Sequence, residues 1–275
     1  MEVAGEKGRV FVTGAGGYVG SWLVKLLLSN GYKVHGTVRD LSDEKNAHLR
    51  KFEKASENLQ LFKADVLHYD TLKAAFAGCE GVFHVASPVP ATKVLDPENW
   101  YCLSKTMAEH AAWEYAEKNG LDLVTVCPSV VVGPLLQPTA STSSMFLIYV
   151  TKGGPEPMLD YLWHFVDVRD VADALLLVYE KPESSGRYIC AASPITIREL
   201  VDLLKGMYPN YGYQKNIVEV PPNAPLTSEK LKKLGWKCRP LEETLTDAVE
   251  SYGEAGLLDE LEGHTHHFPP VYKFT

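Results

Sequence analysis

Between residues 9 and 85, short apolar runs alternate with segments of helical spacing. Arg9-Val-Phe-Val-Thr13 reads as a buried strand, and Lys33 to Val38, Leu59 to Lys63 and Gly81 to Val85 repeat the signal. From Gly17 to Asn30 the apolar residues Val19, Leu23, Leu26 and Leu27 fall on one helix face, and Gly31 fits a C-terminal cap. Strands separated by helices predict an α/β fold with a parallel, doubly wound sheet. Tyr101 to Asn119 predicts a long helix with small and apolar residues at Ala108, Ala111, Ala112, Tyr115 and Ala116, ended by Gly120. Asp122 to Cys127 predicts a further buried strand, stopped by Pro128. Pro138 to Pro157, rich in Ser, Thr, Gly and Pro, predicts a substrate-side loop around a short apolar helix. Phe165 to Asp170 then returns to the sheet, and Val171 to Tyr179 is the following helix. Two later helical patterns, Ile197 to Met207 and Glu242 to Ala255, flank a proline-bearing linker containing Leu234-Gly-Trp236.

Composition narrows the classes. The 275 residues suffice for a large core, and nothing is of low complexity. A net charge of -8 excludes the basic stripe of a nucleic-acid surface. The five cysteines (Cys79, Cys102, Cys127, Cys190, Cys238) lack CxxC spacing and read as reduced thiols of a cytoplasmic protein. The opening Met-Glu-Val-Ala-Gly-Glu-Lys lacks the apolar core of a signal peptide, and no run reaches the length of a membrane span.

Thr13-Gly14-Ala-Gly-Gly17-Tyr-Val-Gly20 joins the first strand to the first helix. Glycines there permit a tight turn and close backbone approach, so a pyrophosphate can rest on the helix N-terminus. The second strand ends Val38-Arg39-Asp40. A base at this point accommodates the phosphate of NADP, whereas an acid would take the ribose hydroxyls of NAD. Arg39, with Lys45 as a second contact, favours NADPH over the counter-signal of Asp40. Asp65, after the third strand, is placed to meet the adenine edge. Pro128 and Ser129, at the end of a later strand, lie where strand ends face the ligand crevice. These features predict a Rossmann-type NADP-binding domain over residues 1–136, to which 165–190 return. Residues 137–164 and 191–275 then form a small substrate lobe.

Tyr101 and Lys105 stand one helical turn apart and project from one face. A phenol can protonate a developing alkoxide, and a neighbouring ammonium lowers its pKa. Tyr101 follows Ser87, just past the fourth strand, by only fourteen positions. A strand-crossover-strand unit takes roughly 30 residues. The interval therefore has no room for a further helix and strand between the cofactor half and the reactive pair.

The motifs Val12-Thr-Gly-Ala-Gly-Gly-Tyr-Val-Gly20, Val38-Arg-Asp40, Phe83-His-Val-Ala-Ser-Pro88, Asn99-Trp-Tyr-Cys-Leu-Ser-Lys105, Pro128-Ser-Val-Val-Val-Gly-Pro134, Asp167-Val-Arg-Asp-Val-Ala-Asp173 and Leu234-Gly-Trp236 span nearly the whole chain. In them the chain resembles the plant cinnamoyl-CoA reductase and dihydroflavonol reductase group of extended short-chain dehydrogenases. The resemblance implies NADPH-dependent reduction of a hydroxycinnamoyl-CoA thioester to an aldehyde, a step of phenylpropanoid metabolism. It makes Tyr101 the proton donor and Lys105 its partner. It rests the pyrophosphate on Gly14, Gly17 and Gly20, with Tyr18 and Val19 beside them, and the NADP phosphate on Arg39 and Lys45. Asp65 and Val66 then meet the adenine, and Val85, Ala86, Ser87, Pro128 and Ser129 complete the cofactor contacts. Leu103-Ser104 replaces the family's aromatic-glycine pair, and its Ser-Ser-containing strand has no counterpart, so the catalytic serine is absent.

With one helix and one strand removed, the connection from the fourth strand through the Tyr101 helix to Val124 is still a right-handed crossover. The sheet is thus expected to close up one strand short, shifting the Tyr101 helix by about 4.8 Å. Such a shift is large beside the ~0.5 Å that catalytic constellations tolerate. Ser87 and Ser129 are the nearest substitutes for the serine, whereas Ser141 to Ser144 lie in the later loop. Alternatives are a reductase of aromatic aldehydes or flavonoid ketones, and an inert NADPH-binding isoform. Phe146, Tyr149, Met158, Tyr161 and Trp163 read equally as core or as an aromatic substrate pocket. Trp113 and Tyr115 read as core. His264, His266 and His267 read as solvated tail residues without a partner acid, so no metal is expected. The expected partner is a small aromatic CoA thioester or carbonyl, with no nucleic acid and no membrane.

Overall fold

The computed structural model describes residues 7–87, 100–192, 194–259 and 267–272. In chain order these form β1 (Arg9–Thr13), α1 (Tyr18–Ser29), β2 (Lys33–Val38), α2 (Ala55–Asn58), β3 (Leu59–Lys63), α3 (Tyr69–Phe76) and β4 (Gly81–His84). Next come α4 (Trp100–Asn119), β5 (Val124–Pro128), β6 (Val130–Val132), α5 (Thr142–Lys152), β7 (Met158–Leu159), β8 (Leu162–Asp167) and α6 (Val168–Glu180). The remainder are β9 (Gly186–Cys190), β10 (Pro194–Thr196), α7 (Ile197–Met207), β11 (Ile217–Val218), α8 (Glu229–Lys233) and α9 (Leu241–Glu254). Glu44–Lys51 and Pro270–Tyr272 are 3-10 turns.

The chain divides into two compact units, the first comprising Met1–Pro88, Leu135–Thr139 and Val168–Pro182. Its sheet is parallel in the order β3-β2-β1-β4, with Val10 opposite Val34 and Val12 opposite Phe83. Val10, Phe11 and Val12 are fully buried, as expected of a central parallel strand covered on both faces. On one face Leu23, Val24, Leu27 and Leu28 of α1 pack with Val34, Val38, Ala172 and Leu176, a stripe set by the helical repeat. On the other, Phe76 of α3 meets Phe11 at 4.3 Å between ring centres. Gly31, at φ +83°, closes α1 in the left-handed conformation that favours glycine.

The second unit comprises Val89–Pro134, Ala140–Asp167 and Glu183–Thr275. Within it β5 pairs in parallel with β9, Thr125 opposite Arg187, while β6, β8 and β10 form a three-stranded sheet and β7 pairs with β11. The return segment differs from expectation: β8 begins at Leu162 and the chain is already helical at Val168, so Asp170 lies in the first turn of α6, where an acid favours the helix dipole.

The expected closure of the sheet is not observed. Among the described residues β4 pairs with β1 alone and β5 with β9 alone, in separate sheets. Val10 to Thr13 of β1 run in register with Gly81 to His84 of β4, and Val124 to Pro128 of β5 with Gly186 to Cys190 of β9. Val82 on β4 is 51% exposed.

Helix α4 also departs from expectation. Ala108, Ala111, Ala112 and Tyr115 are exposed, and Ala116 is its one buried residue. Trp100, Leu103, Met107 and Tyr115 recur at helical spacing as an open apolar stripe, from 45% exposed at Leu103 to 62% at Met107. Tyr115 is therefore not a core residue, while Trp113 is half-buried. No described helix is long and apolar enough to cross a membrane. Because the stripe is open, Met107→Gln is expected to change unfolding free energy in urea by no more than about 0.5 kcal/mol. A loss of 2 kcal/mol or more, roughly the low end for truncating a buried side chain, would show that the stripe is covered.

Candidate active site

The glycine turn is dictated by close approach. Gly14 is at φ +65°, and a Cβ there would lie 2.9 Å from the Ala86 Cα. The Gly17 N–H donates to the Gly14 carbonyl at 2.9 Å, and Gly17 starts α1 without a side-chain cap. A Cβ on Gly20 would stand 2.2 Å from the same carbonyl. The helix therefore descends onto the turn with its N-terminus bare of side chains, a cradle shaped for an anionic pyrophosphate. Thr13 ties the β1 and β4 ends together: its Oγ1 lies 2.9 Å from His84 Nδ1 and accepts from the Ala86 N–H at 3.1 Å. Val85 and Ala86 are half-buried and Ser87 is exposed at that edge.

Two residues that carried no motif signal complete the turn. A Cβ on Gly16 would fall 2.0 Å from Asn46 Oδ1, and the buried Asn46 Nδ2 donates to the Asp40 carbonyl at 3.0 Å. The Ser21 hydroxyl lies 2.8 Å from His48 Nε2. Asn46 and His48 sit in a polar stretch whose sequence marks only a turn.

Beyond β2, Arg39 is exposed and forms no ion pair among the described residues. Asp40 is occupied: Ser42 donates to Oδ1 from its N–H at 3.0 Å and its hydroxyl at 2.8 Å, which holds the carboxyl below its ordinary pKa. The counter-signal at Asp40 is thus absorbed by a local turn. Lys45 is paired with Asp43 at 2.6 Å, so its second-contact role requires an anion that outcompetes a surface ion pair. Asp65 is half-buried, and its Oδ1 accepts from the Leu67 N–H at 3.0 Å. Val66 is exposed beside it.

In the second unit, the half-buried Tyr101 and the exposed Lys105 lie on the face of α4 that continues through Glu109 and Trp113 to Ala116. Glu109 fixes that face. Arg187 on β9 grips its carboxylate through Nε at 2.7 Å and Nη2 at 2.9 Å, Thr125 on β5 donates at 2.8 Å, and Trp113 Nε1 donates at 3.4 Å. The Arg187 bonds hold Glu109 ionised below the ordinary carboxyl range, with Thr125 and Trp113 adding and partial burial opposing. At the end of β5, burial pushes the Cys127 thiol up, Glu109 adds to the rise, and Arg187 and Lys105 oppose it. The Lys105 ammonium is thus within electrostatic reach of that strand end. Pro128 is exposed, and the Ser129 Oγ is buried without a hydrogen-bond partner, an atom that a polar ligand would satisfy.

The aromatic residues divide. Phe146 and Tyr149 are fully buried, whereas Met158, Tyr161 and Trp163 line a cavity of about 320 Å³. Phe268 and Tyr272, which sequence patterning gave no reason to choose, complete its wall. Glu156 anchors that segment. It accepts from the Tyr149 hydroxyl at 3.0 Å, lies 2.8 Å from His267 Nδ1 and accepts from the Phe268 N–H at 3.4 Å. Burial would raise its carboxyl, but these bonds outweigh it and bring the pKa to about 2. His267 therefore has an acid partner, contrary to expectation, while its side chain is exposed as expected of a solvated residue. His264 and His266 lie outside the described residues, and no metal-holding cluster is found among those described.

The glycine geometry gives a graded test. Gly20→Ala forces the turn open, and overpacking of this kind costs ~1–3 kcal/mol, so nicotinamide-nucleotide affinity by calorimetry is expected to fall about tenfold or more. Gly17→Ala, whose Cβ would sit 3.2 Å from the Gly14 carbonyl, is expected to lose less. Equal affinities in both variants and the parent chain would show that this turn is not the cradle.

Comparison with known proteins identifies the family. The GDP-mannose 4,6 dehydratase family pattern matches residues 11–90, and the NAD dependent epimerase/dehydratase family pattern matches residues 88–191. Cinnamoyl-CoA reductase 1 of Petunia hybrida is 38% identical, over 90% of this chain and 93% of that enzyme. The bifunctional dihydroflavonol 4-reductase/flavanone 4-reductase of Malus domestica is 31% identical over 92% of each. The crystal structure of vestitone reductase from alfalfa (Medicago sativa) superposes with a TM-score of 0.78 at 30% identity, covering 91% of this chain and 99% of that one. The Petunia alignment runs over 310 positions, longer than this 275-residue chain, so residues of that relative stand opposite a gap here. A nicotinamide cofactor accompanies the family, and the glycine cradle fits the pyrophosphate of such a group. The chain belongs to the cinnamoyl-CoA reductase and dihydroflavonol reductase group of extended short-chain dehydrogenases, oxidoreductases with a Rossmann-type fold, and is an internally shortened member of it.

Proposed function

We propose that this chain reduces an aromatic carbonyl with NADPH, a hydroxycinnamoyl-CoA thioester first among candidates. The observation that carries the reading is the face of α4, where Tyr101, Lys105 and the clamped Glu109 follow one another at single-turn spacing. NADPH supplies the hydride when bound. Gly14, Gly17 and Gly20 hold its pyrophosphate, Arg39 its extra phosphate with Lys45 in support, and Asp65 its adenine. In the second unit, the buried Ser129 hydroxyl would take a polar group of a bound ligand.

Tyr101 gives its phenolic proton to the substrate oxygen as negative charge develops there. The Lys105 ammonium lowers the cost of the phenolate left behind and binds ribose hydroxyls. With a thioester, the carbonyl carbon would gain the hydride and the oxygen the Tyr101 proton; the carbon-sulfur bond then breaks as that hydroxyl proton passes to sulfur, releasing aldehyde and CoA thiol, and Tyr101 is reprotonated from solvent. The cavity bounded by Tyr161, Trp163 and Phe268 offers faces for an aromatic ring. A second reading, an NADPH-binding chain without turnover, draws on the separate sheets of β4 and β5.

The test is NADPH oxidation with feruloyl-CoA and a panel of aromatic aldehydes and flavonoid ketones. Tyr101→Phe is expected to lower kcat about 10²–10⁴-fold, the usual contribution of a general acid, while leaving NADPH affinity unchanged. Arg39→Ala is expected to weaken NADPH binding about tenfold or more and spare NADH. NADPH binding without oxidation on any substrate would select the second reading.

A further inference from the structure

His48 joins the glycine turn to the 3-10 turn that carries Lys45, and no step of the proposed reaction uses it. Ser21, fully buried in the first turn of α1, has its Oγ 3.2 Å from the Ala15 carbonyl and 2.8 Å from His48 Nε2. On the other side of the ring, His48 Nδ1 lies 2.8 Å from the Lys45 carbonyl. A carbonyl only accepts, so Nδ1 carries a proton. The Ser21 hydroxyl has a single proton to give. With a neutral ring that proton goes to Nε2, and Ala15 loses its bond from Ser21. With a charged ring, Nε2–H donates to Ser21 Oγ, Ser21 donates to Ala15, and all three contacts are made at once. Ala15 is fully buried, so its carbonyl depends on protein donors. The same peptide carries the Gly16 N–H of the glycine turn, and in a trans peptide carbonyl and N–H point opposite ways.

We propose that His48 is a positioning residue for the coenzyme: when the nucleotide binds, the ring takes a proton from solvent, and the chain from Lys45 through His48 and Ser21 to Ala15 locks both turns. The inference rests on the NADPH reading of Arg39, Lys45 and the glycine cradle. Two effects favour the charged ring in the complex. The pyrophosphate and the extra phosphate are anions, and a cation joining the two turns attracts both. The completed chain also holds the Ala15-Gly16 peptide, so the Gly16 N–H keeps one direction. In the free chain, burial pushes His48 below its ordinary pKa, with the Phe52 ring edge-on at 5.8 Å, and the Lys45 carbonyl opposes this. The charged groups on the elements around the ring are Lys25 on α1, Glu57 on α2, and Glu44, Lys45, Arg50 and Lys51 on its own turn. None of them enters that balance. Lys45 is held by Asp43, Arg50 donates to the Leu41 carbonyl, and Lys25 lies over the Trp22 ring. His48 is therefore neutral near neutral pH, and coenzyme binding charges it. A ring whose pKa rises on binding makes affinity grow as pH falls from the bound value to the free one.

The test follows the His48 ring nitrogens by NMR titration, in the free chain and in the chain saturated with NADP+. The free ring is expected to titrate below pH 6.5, and the bound ring about 0.5–1 pH unit higher than the free one. This titration needs no variant. By linkage, NADP+ affinity by calorimetry is expected to rise about three- to tenfold more in the parent chain than in His48→Gln as pH falls from about 7.5 to about 5.5. Ionisation of the coenzyme's own phosphate is common to both chains. Ser21→Ala leaves the imidazole in place but breaks the chain, and is expected to cancel at least half of that rise. A bound ring that titrates where the free ring does, or a Ser21→Ala chain that keeps the whole rise, overturns the assignment and leaves coenzyme binding standing. A parent chain that binds no NADP+ overturns it together with the NADPH reading.

Discussion

One carboxylate decides where the reactive helix points. Glu109 is held by Arg187 from β9, by Thr125 from β5 and by Trp113 from its own helix, and Lys105 and Tyr101 lie one and two turns before it. Most helices of this kind are oriented by a broad apolar face. α4 buries only Ala116 and leaves Trp100, Leu103, Met107 and Tyr115 open, so its orientation falls largely to this polar clasp. The bidentate arginine geometry suits the task, because two parallel bonds restrict rotation as one bond does not. Arg187 itself is exposed, so the clasp acts chiefly as a positioning device, and much of its Coulomb energy is screened by solvent.

The same logic explains how the molecule accommodates a missing crossover. The first unit keeps its four parallel strands in register, and the second keeps β5 on β9 and β8 between β6 and β10. Register is specified locally, by which side chains must be buried, and each unit satisfies its own. Val82 of β4 and the apolar stripe of α4 face solvent.

Much of this was legible in the sequence. The strand-turn-helix around Gly14, Gly17 and Gly20 was, because each glycine answers a local steric demand. The Tyr101-Lys105 spacing and the short interval before it were equally visible, being local patterns. What escaped was long-range pairing. Glu109 and Arg187 are 78 positions apart, and Glu156 and His267 are 111 apart, with nothing in either neighbourhood to announce the partner. Asn46 was hidden in a polar run, and Tyr272 in a segment without periodicity. Tyr115 was misread because a helical pattern shows which residues share a face, whereas what covers that face is decided by the fold.

The central claim is that the shortened chain still delivers a hydride to an aromatic carbonyl under the control of the α4 face. The most direct measurement is a single turnover with NADPH carrying deuterium at the transferable C4 position and feruloyl-CoA as acceptor, with the product analysed by mass spectrometry. The account predicts that the released aldehyde carries the deuterium. An enzyme saturated with both ligands that yields no deuterated product from the thioester or from any aromatic aldehyde or ketone would contradict it.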